Sequence, residues 1–172
     1  MQDGKIMETL VTNEKQVWDW LNQIPDPEIP VISIVELGVV RKVELNKNEV
    51  IVYITPTYTG CPAMNVFEAD IISMLIEKGV EEPTIRTVWS PPWTTDWISD
   101  DALEKLRVYG IAPPIRGSED KGVLFSSGPQ VVPCPFCRSD DTKVISQFGS
   151  TACKALYSCN SCKEPFEYFK CI

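Results

Sequence analysis

Four of the seven cysteines fall in two C-x-x-C pairs, Cys134 and Cys137 in CPFC and Cys159 and Cys162 in CNSC, with 21 residues between the pairs. Four thiolates at that spacing can close a tetrahedron around one ion. The β-rich stretches TKVISQF, KALYS and FEYFK around them complete the pattern of a zinc ribbon. About forty residues make too small a core to stand alone, so the ion would act as a structural staple. Zinc is the expected metal; an iron site of rubredoxin type would satisfy the same sulfur tetrahedron, and two redox-active dithiols are the competing reading. Cys153 and Cys171 are left over. Cys153, six residues before the second pair, could swap in as a ligand or stand as a spare thiol.

The remaining cysteine is placed differently. Cys61 stands in TPTYTGCPAM, between an alternating apolar run and a helical pattern. Pro62 suits the first position of a helix, where its missing N–H has no partner to lose. Cys61 would then be the N-cap, facing the free N–H groups and the positive dipole end of the first turn. A thiol so placed is favoured as its thiolate, a nucleophile and a good metal ligand. Gly60 permits a tight turn just before it, and the hydroxyls of Thr55, Thr57 and Thr59 could hydrogen-bond the sulfur or whatever it binds. The plain alternative is a small buried residue that closes a helix end.

Asp26 and Glu28 in DPEIP place two carboxylates in a proline-stiffened turn. Such residues are ordinary turn chemistry. They gain a chemical role only if the fold carries them to Cys61, where carboxylate and thiolate together would suit iron or zinc. No histidine occurs in the chain, which removes every Ser–His and Cys–His nucleophile pair. A nucleophilic Cys61 would depend on the helix dipole or a carboxylate for its deprotonation. Trp89, Trp93 and Trp97 crowd the loop WSPPWTTDWIS. They read either as a small core over the sheet edge or, if Trp93 is exposed, as a hot spot for a protein partner.

The elements that must position these groups are legible in the hydrophobic pattern. NEKQVWDWLNQIP predicts a helix with Asn13 as N-cap, Gln16 three residues on, and Pro25 as the stop. VVRKVELNKNEVIVYITP predicts a hairpin turning at NKN, with Val50, Val52 and Ile54 on one face of its second arm and Ile51, Tyr53 and Thr55 on the other. Met64, Phe67, Ile71 and Leu75 predict a second helix ended at Gly79. TIRTVWS predicts a third strand, and a short helix capped by Ser99 or Asp100 ends at Gly110. The order helix–strand–strand–helix–strand–helix predicts an α+β domain over residues 1–115, a small mixed three-stranded sheet with helices packed mainly on one face. Residues 116–130, rich in Pro, Gly, Ser and charge, read as a linker that admits a short strand at VLF, and residues 131–172 as the β-rich zinc ribbon.

Composition narrows the function classes. With 44% hydrophobic and 23% charged residues the chain is globular rather than disordered. No apolar run approaches the length of a membrane span, and MQDGKIMETLVTNEKQ lacks the layout of a secretory signal. Paired cysteines without an export signal suit a reducing compartment, so a cytoplasmic location is expected. The net charge of −8 is unevenly shared: the first 130 residues carry −9, and residues 131–172, with five basic and four acidic side chains, carry +1. An acidic surface repels phosphates, so nucleic-acid binding is not expected. The near-neutral ribbon points to protein contact or a structural role. A homodimer is compatible with these features.

DPEIPVISIVELGVV followed by TPTYTGCPAM resembles the iron–sulfur cluster assembly family that includes the SufT-like proteins. With the SPPWTTDWIS loop and the terminal VPCPFCRSDDTKVISQFGSTACKALYSCNSCKEPFEYFK, the resemblance extends over almost the whole chain to the PaaD-like family. Its members are small accessory subunits of bacterial phenylacetyl-CoA epoxidase systems in phenylacetate degradation. The resemblance implies that Cys61 is the reactive or cluster-handling cysteine. It also implies that Asp26 and Glu28 form the acidic turn, Thr55 and Thr57 the threonine-rich approach, and Trp93 and Ser99 part of a tryptophan loop. In similar systems a di-iron oxygenase subunit and a flavin/iron–sulfur reductase carry out the catalysis. The resemblance therefore implies an accessory, non-enzymatic subunit that holds iron or a cluster transiently and helps mature one of those partners. A structural adaptor subunit and an enzyme with a Cys61 nucleophile are the alternatives.

Overall fold

In the computed structural model, which describes residues 13–46, 49–115 and 131–170, helix α1 (Glu14–Leu21) starts at a reciprocal cap. The Asn13 side chain accepts from the Gln16 N–H at 2.9 Å, and the Gln16 side chain accepts from the Asn13 N–H at 3.0 Å. Val17 and Leu21, one turn apart, are buried. The prolines that follow forbid further helix. The chain instead folds back on itself, with Asp26 N–H donating to Ile32 C=O and Ile34 N–H to Ile24 C=O. Ile29, Ile32 and Ile34 are thereby driven into the core.

Strands β1 (Val40–Asn46) and β2 (Glu49–Ile54) form the expected antiparallel hairpin; Lys47 and Asn48 of its NKN turn lie outside the described residues. A register shift between Val40 and Lys42 leaves Arg41 without a partner strand residue, and its guanidinium lies 3.4 Å above the Trp97 ring. Helix α2 (Ala63–Glu77) then carries the chain across to β3 (Glu82–Thr87), which pairs parallel to β2. The result is a mixed three-stranded sheet of order β1-β2-β3. In the central strand Val50, Ile51, Val52 and Ile54 are buried and Tyr53 is half-buried, as a strand covered on one face and sheltered on the other requires. Phe67, Ile71 and Leu75 of α2 are buried as predicted, Met64 packs half-buried against the same core, and Ala63 joins the buried residues at a strict four-residue spacing. α1 packs against α2 and β1, and α2 against β3. Each large apolar side chain taken fully out of water here stabilises the fold by about 1.5–3 kcal/mol.

A single 3-10 turn (Thr95–Trp97) leads into α3 (Asp100–Tyr109), whose N-terminus is capped by Ser99: its Oγ accepts from Ala102 N–H at 3.1 Å. Gly110 ends α3 at φ +94°, a left-handed conformation that favours glycine. Beyond it lies β4 (Ile111–Ala112), two residues too short to show any sequence period. β4 pairs parallel with β7 (Pro165–Phe169), which pairs antiparallel with β6 (Lys154–Cys159), and β6 with β5 (Thr142–Ser146). The ribbon sheet, of order β4-β7-β6-β5, thus takes an edge strand from before the predicted linker. Phe169 enters the first core and meets Trp93 edge-on, with ring centroids 6.3 Å apart. The predicted linker, its VLF strand and Cys171 lie outside the described residues.

Candidate functional site

β2 and β3 run parallel, so their C-terminal ends open on the same edge of the sheet, and the loops leaving them face each other. This is the edge where open α/β sheets generally bind ligands. Thr55–Thr59 follow β2, and Trp89, Pro92 and Trp93 follow β3; together they line a cleft of about 350 Å³. A bond from Val88 N–H to Ile54 C=O holds the two loops together at 2.8 Å.

Cys61 sits at the end of the first loop, and its position departs by one residue from the sequence reading. Pro62 takes the αR conformation and is itself the N-cap of α2, so Cys61 precedes the cap. Tyr58 C=O accepts from Cys61 N–H, and Cys61 C=O accepts from Met64 N–H; this tight lead-in delays the first regular turn. Gly60, at φ +82° with open space where a side chain would lie, makes the turn possible. No side chain caps α2, and no acidic residue stands in its first turn. The thiol is half-buried rather than sealed. Thr57 Oγ1 donates to its sulfur at 3.8 Å. Thr55 is buried, and its N–H donates to Val39 C=O, which pins the start of the loop.

The two carboxylates of DPEIP divide their work. Asp26 is buried, and its Oδ1 accepts from Glu28 N–H at 2.8 Å and Ile29 N–H at 2.7 Å, so it organises the turn. Burial raises its carboxyl above the usual range, against those two N–H groups, which favour the charged form. Glu28 instead faces outward from the turn, and its Oε2 lies 3.8 Å from the sulfur of Cys153 in the ribbon. Tyr58 stands among these groups. Burial first, then the charges of Cys61, Cys153 and Glu28, push its hydroxyl up to about 12. Burial also raises the Cys153 thiol, partly offset by Thr151, whose hydroxyl is 3.0 Å from it. Sequence reasoning misses Tyr58, although it lies within the threonine-rich motif. It reads Cys153 as a swapped ribbon ligand or a spare thiol and does not foresee its contact with Glu28, because no spacing rule reaches from one part of the chain to the other.

Two sequence-predicted partner contacts take structural places. Trp93 is 8% exposed and donates its indole N–H to Leu37 C=O at 3.0 Å, so it belongs to the core and to one wall of the cleft, not to a free surface. Ser99 spends its hydroxyl on capping α3, and its N–H donates to Glu36 C=O. Of the three tryptophans it is Trp89, 62% exposed, that projects from the loop.

The ribbon cysteines form a closed site. The ligand atoms of Cys134, Cys137, Cys159 and Cys162 all lie within 4.8 Å of one another. Cys134 and Cys162 sulfurs are 3.7 Å apart and those of Cys137 and Cys159 3.5 Å, close to the edge of about 3.8 Å that a zinc tetrahedron with bonds of about 2.3 Å requires. A disulfide would bring two sulfurs to about 2 Å. The N–H groups of Cys162 and Ser161 lower the Cys159 thiol, while at Cys162 the Glu164 N–H is outweighed and burial and the neighbouring cysteine sulfurs raise the thiol, as sulfurs crowded together must unless they share a cation. The four residues therefore fit a structural zinc. Among the described residues no helix is long and apolar enough to cross a membrane.

Comparison with known proteins agrees with both parts of this geometry. Residues 14–88 match the model of the iron-sulfur cluster assembly protein family, and residues 119–170 that of the PaaD zinc beta ribbon domain. The chain is 47% identical, over 91% of its length and 92% of the relative's, to a component of the "Putative 1,2-phenylacetyl-CoA epoxidase" of Escherichia coli (strain K12). It is 35% identical, over 46% of its own length and 78% of the relative's, to the Fe-S protein maturation auxiliary factor YitW of Bacillus subtilis (strain 168). A crystal structure of a domain of unknown function from Bacillus anthracis aligns at 30% identity with a TM-score of 0.49, covering 52% of this chain and 86% of that one.

Proposed function

The chain belongs to the PaaD family, in which an iron–sulfur cluster assembly domain precedes a zinc ribbon, and from that premise we propose that it is a maturation subunit of a phenylacetyl-CoA epoxidase system. It docks on the oxygenase or reductase subunit in the cytoplasm and delivers iron or an iron–sulfur cluster to that partner. It does not itself turn over substrate. The cargo is held at Cys61, with Glu28 nearby, Thr57 steadying the sulfur, and Asp26 and Thr55 holding the loops that present them.

The observation that carries this reading is the contrast between two thiol environments in one chain. Four cysteine sulfurs converge in the ribbon on a site that fits a single zinc, which suits permanence. Cys61 is one half-buried thiol beside an open cleft, which suits loading and release. The absence of histidine speaks against a nucleophilic enzyme. The epoxidase subunits should be produced together with wild-type protein or with Cys61→Ala, and their metal content and activity compared. Delivery predicts that the variant leaves a partner poor in metal and inactive. A fully metallated, active partner would leave only a structural adaptor.

A further inference from the structure

The outer face of α2 differs from that of its neighbour α1. On α1 the exposed side chains are polar: Glu14, Lys15, Gln16 and Asp19. On α2 the buried stripe of Phe67, Ile71 and Leu75 is matched by a second apolar row on the outer side. Val66 is 42% exposed, Ile72 37% and Ile76 56%, with Ala69 and Ser73 exposed between them. A helix that is apolar on both sides needs cover on both, and an exposed row of this kind marks a surface for a partner. Along one margin of the row lies a groove of about 210 Å³, between Asp70, Ser73, Met74 and Glu77 of α2 and Ile24 and Pro25 of the proline turn. Asp70 and Glu77 are exposed and make no ion pair among the described residues. Glu77 is also the last residue of α2, whose final turn holds no basic residue, so its charge adds to the negative end of the helix dipole. Lys78, at the C-cap, pairs with neither carboxylate.

We infer that this face of α2 is the surface on which an epoxidase subunit docks, and that the subunit brings an apolar patch for Val66, Ile72 and Ile76, edged by a lysine or arginine that enters the groove beside Asp70 and Glu77. This rests on the proposed function in taking the epoxidase as the partner; the face itself does not depend on how Cys61 is used. An apolar centre within a polar margin is the usual build of a protein interface, and here the groove gives the margin one sign. That sign disfavours the other occupants. Two copies of the chain meeting on this face about a two-fold axis would set Asp70 and Glu77 against their own counterparts, and like charges brought together repel. A helix that lies on a membrane carries lysine and arginine beside its apolar face to meet anionic lipids, and α2 has neither between Ala63 and Glu77. A basic-edged protein instead buries the row and neutralises the groove in one step, and a guanidinium, with its planar fork, suits the carboxylates best. Because α2 is capped at Pro62, directly after Cys61, a partner held along the helix is also held in register with that thiol.

The test is the affinity of the full-length, zinc-loaded protein for the purified oxygenase and reductase subunits of the epoxidase, measured by biolayer interferometry. Ile76→Glu puts a good helix former at an exposed position, so the fold should hold, as circular dichroism and zinc content will check. It should weaken binding to one of the two subunits by about tenfold. Asp70→Asn combined with Glu77→Gln should weaken it by about fivefold, mostly through slower association, and flatten the salt dependence that wild type shows. In unsubstituted protein, the bound subunit should slow carbodiimide labelling of Asp70 and Glu77, read by mass spectrometry; this arm needs no variant to fold. If the variants bind as wild type does and labelling is unchanged, this inference fails, and the delivery reading stands wherever Cys61→Ala still yields a metal-poor partner. If the variants lose binding while Cys61→Ala leaves the partner fully metallated, the docking face stands and the delivery reading fails. Wild-type dimers that Ile76→Glu splits in sedimentation, or wild-type binding to anionic lipid vesicles that Ile76→Glu removes, would give the face another occupant and overturn the inference. A wild-type protein that binds neither subunit overturns both.

Discussion

Asp26 and Glu28 sit two residues apart, yet the fold gives them different partners. Asp26 Oδ1 already accepts two backbone N–H groups, so its removal strands both donors in a buried turn. Asp26→Ala should destabilise the protein by about 1–3 kcal/mol, the cost of leaving such groups unpaired. Asp26→Asn keeps an oxygen in place and should retain most of the stability and all of the metal uptake. Chemical denaturation and cobalt titration of the two variants check this together; an Asn variant that is stable but no longer binds metal would make Asp26 a ligand. The sequence reveals the acidic turn but cannot apportion it, because Asx turns and ligand pairs use the same residues. Cys61 is legible for a related reason: its neighbours Gly60 and Pro62 are conformational signals, whereas Cys153 is flanked by nothing that predicts where its sulfur points.

Elements meet near the site through Glu36, which lies in the loop between the proline turn and β1. Its carboxylate accepts from Ser33 N–H at 3.0 Å and from Lys105 of α3 at 2.6 Å, while its C=O accepts from Ser99 N–H. Partial burial opposes the charged form, but the bonds from Lys105 and Ser33 outweigh it and hold the carboxyl below its ordinary value of 4.5. A carboxyl depressed in the folded state contributes its full stability above the unfolded value, and loses it as pH falls through the folded one. Glu36→Gln should therefore lower the melting temperature at pH 7, and the gap to wild type should shrink below pH 4.5 until the two melt together. A gap independent of pH would show that the contribution is not ionic. This tie is invisible in the sequence because Glu36 and Lys105 are separated by 69 residues. The helices and strands it joins are legible from local periods and caps, with a departure at one helix end: Pro62 in place of Cys61 as the cap of α2.

At the scale of the molecule, the ribbon is more than an appendage. β7 pairs with β4, Phe169 enters the core beside Trp93, and the Phe136 ring comes within 3.1 Å of where a Gly110 side chain would begin. Sequence composition marks a linker between two parts, but it cannot mark contacts that the parts make after the chain has doubled back. A ribbon of this size is held by its ion, so chelating the zinc of the full-length protein should unfold it. Phe169 would then leave the first core and uncover Trp93, costing the N-terminal domain about 2–4 kcal/mol by loss of apolar burial. Its melting temperature should fall, and Cys153 should alkylate faster because its turn is no longer held between β6 and β7. Restoring zinc should reverse both changes. If chelation empties the ribbon while the remaining melting transition stays in place, the two parts are energetically independent.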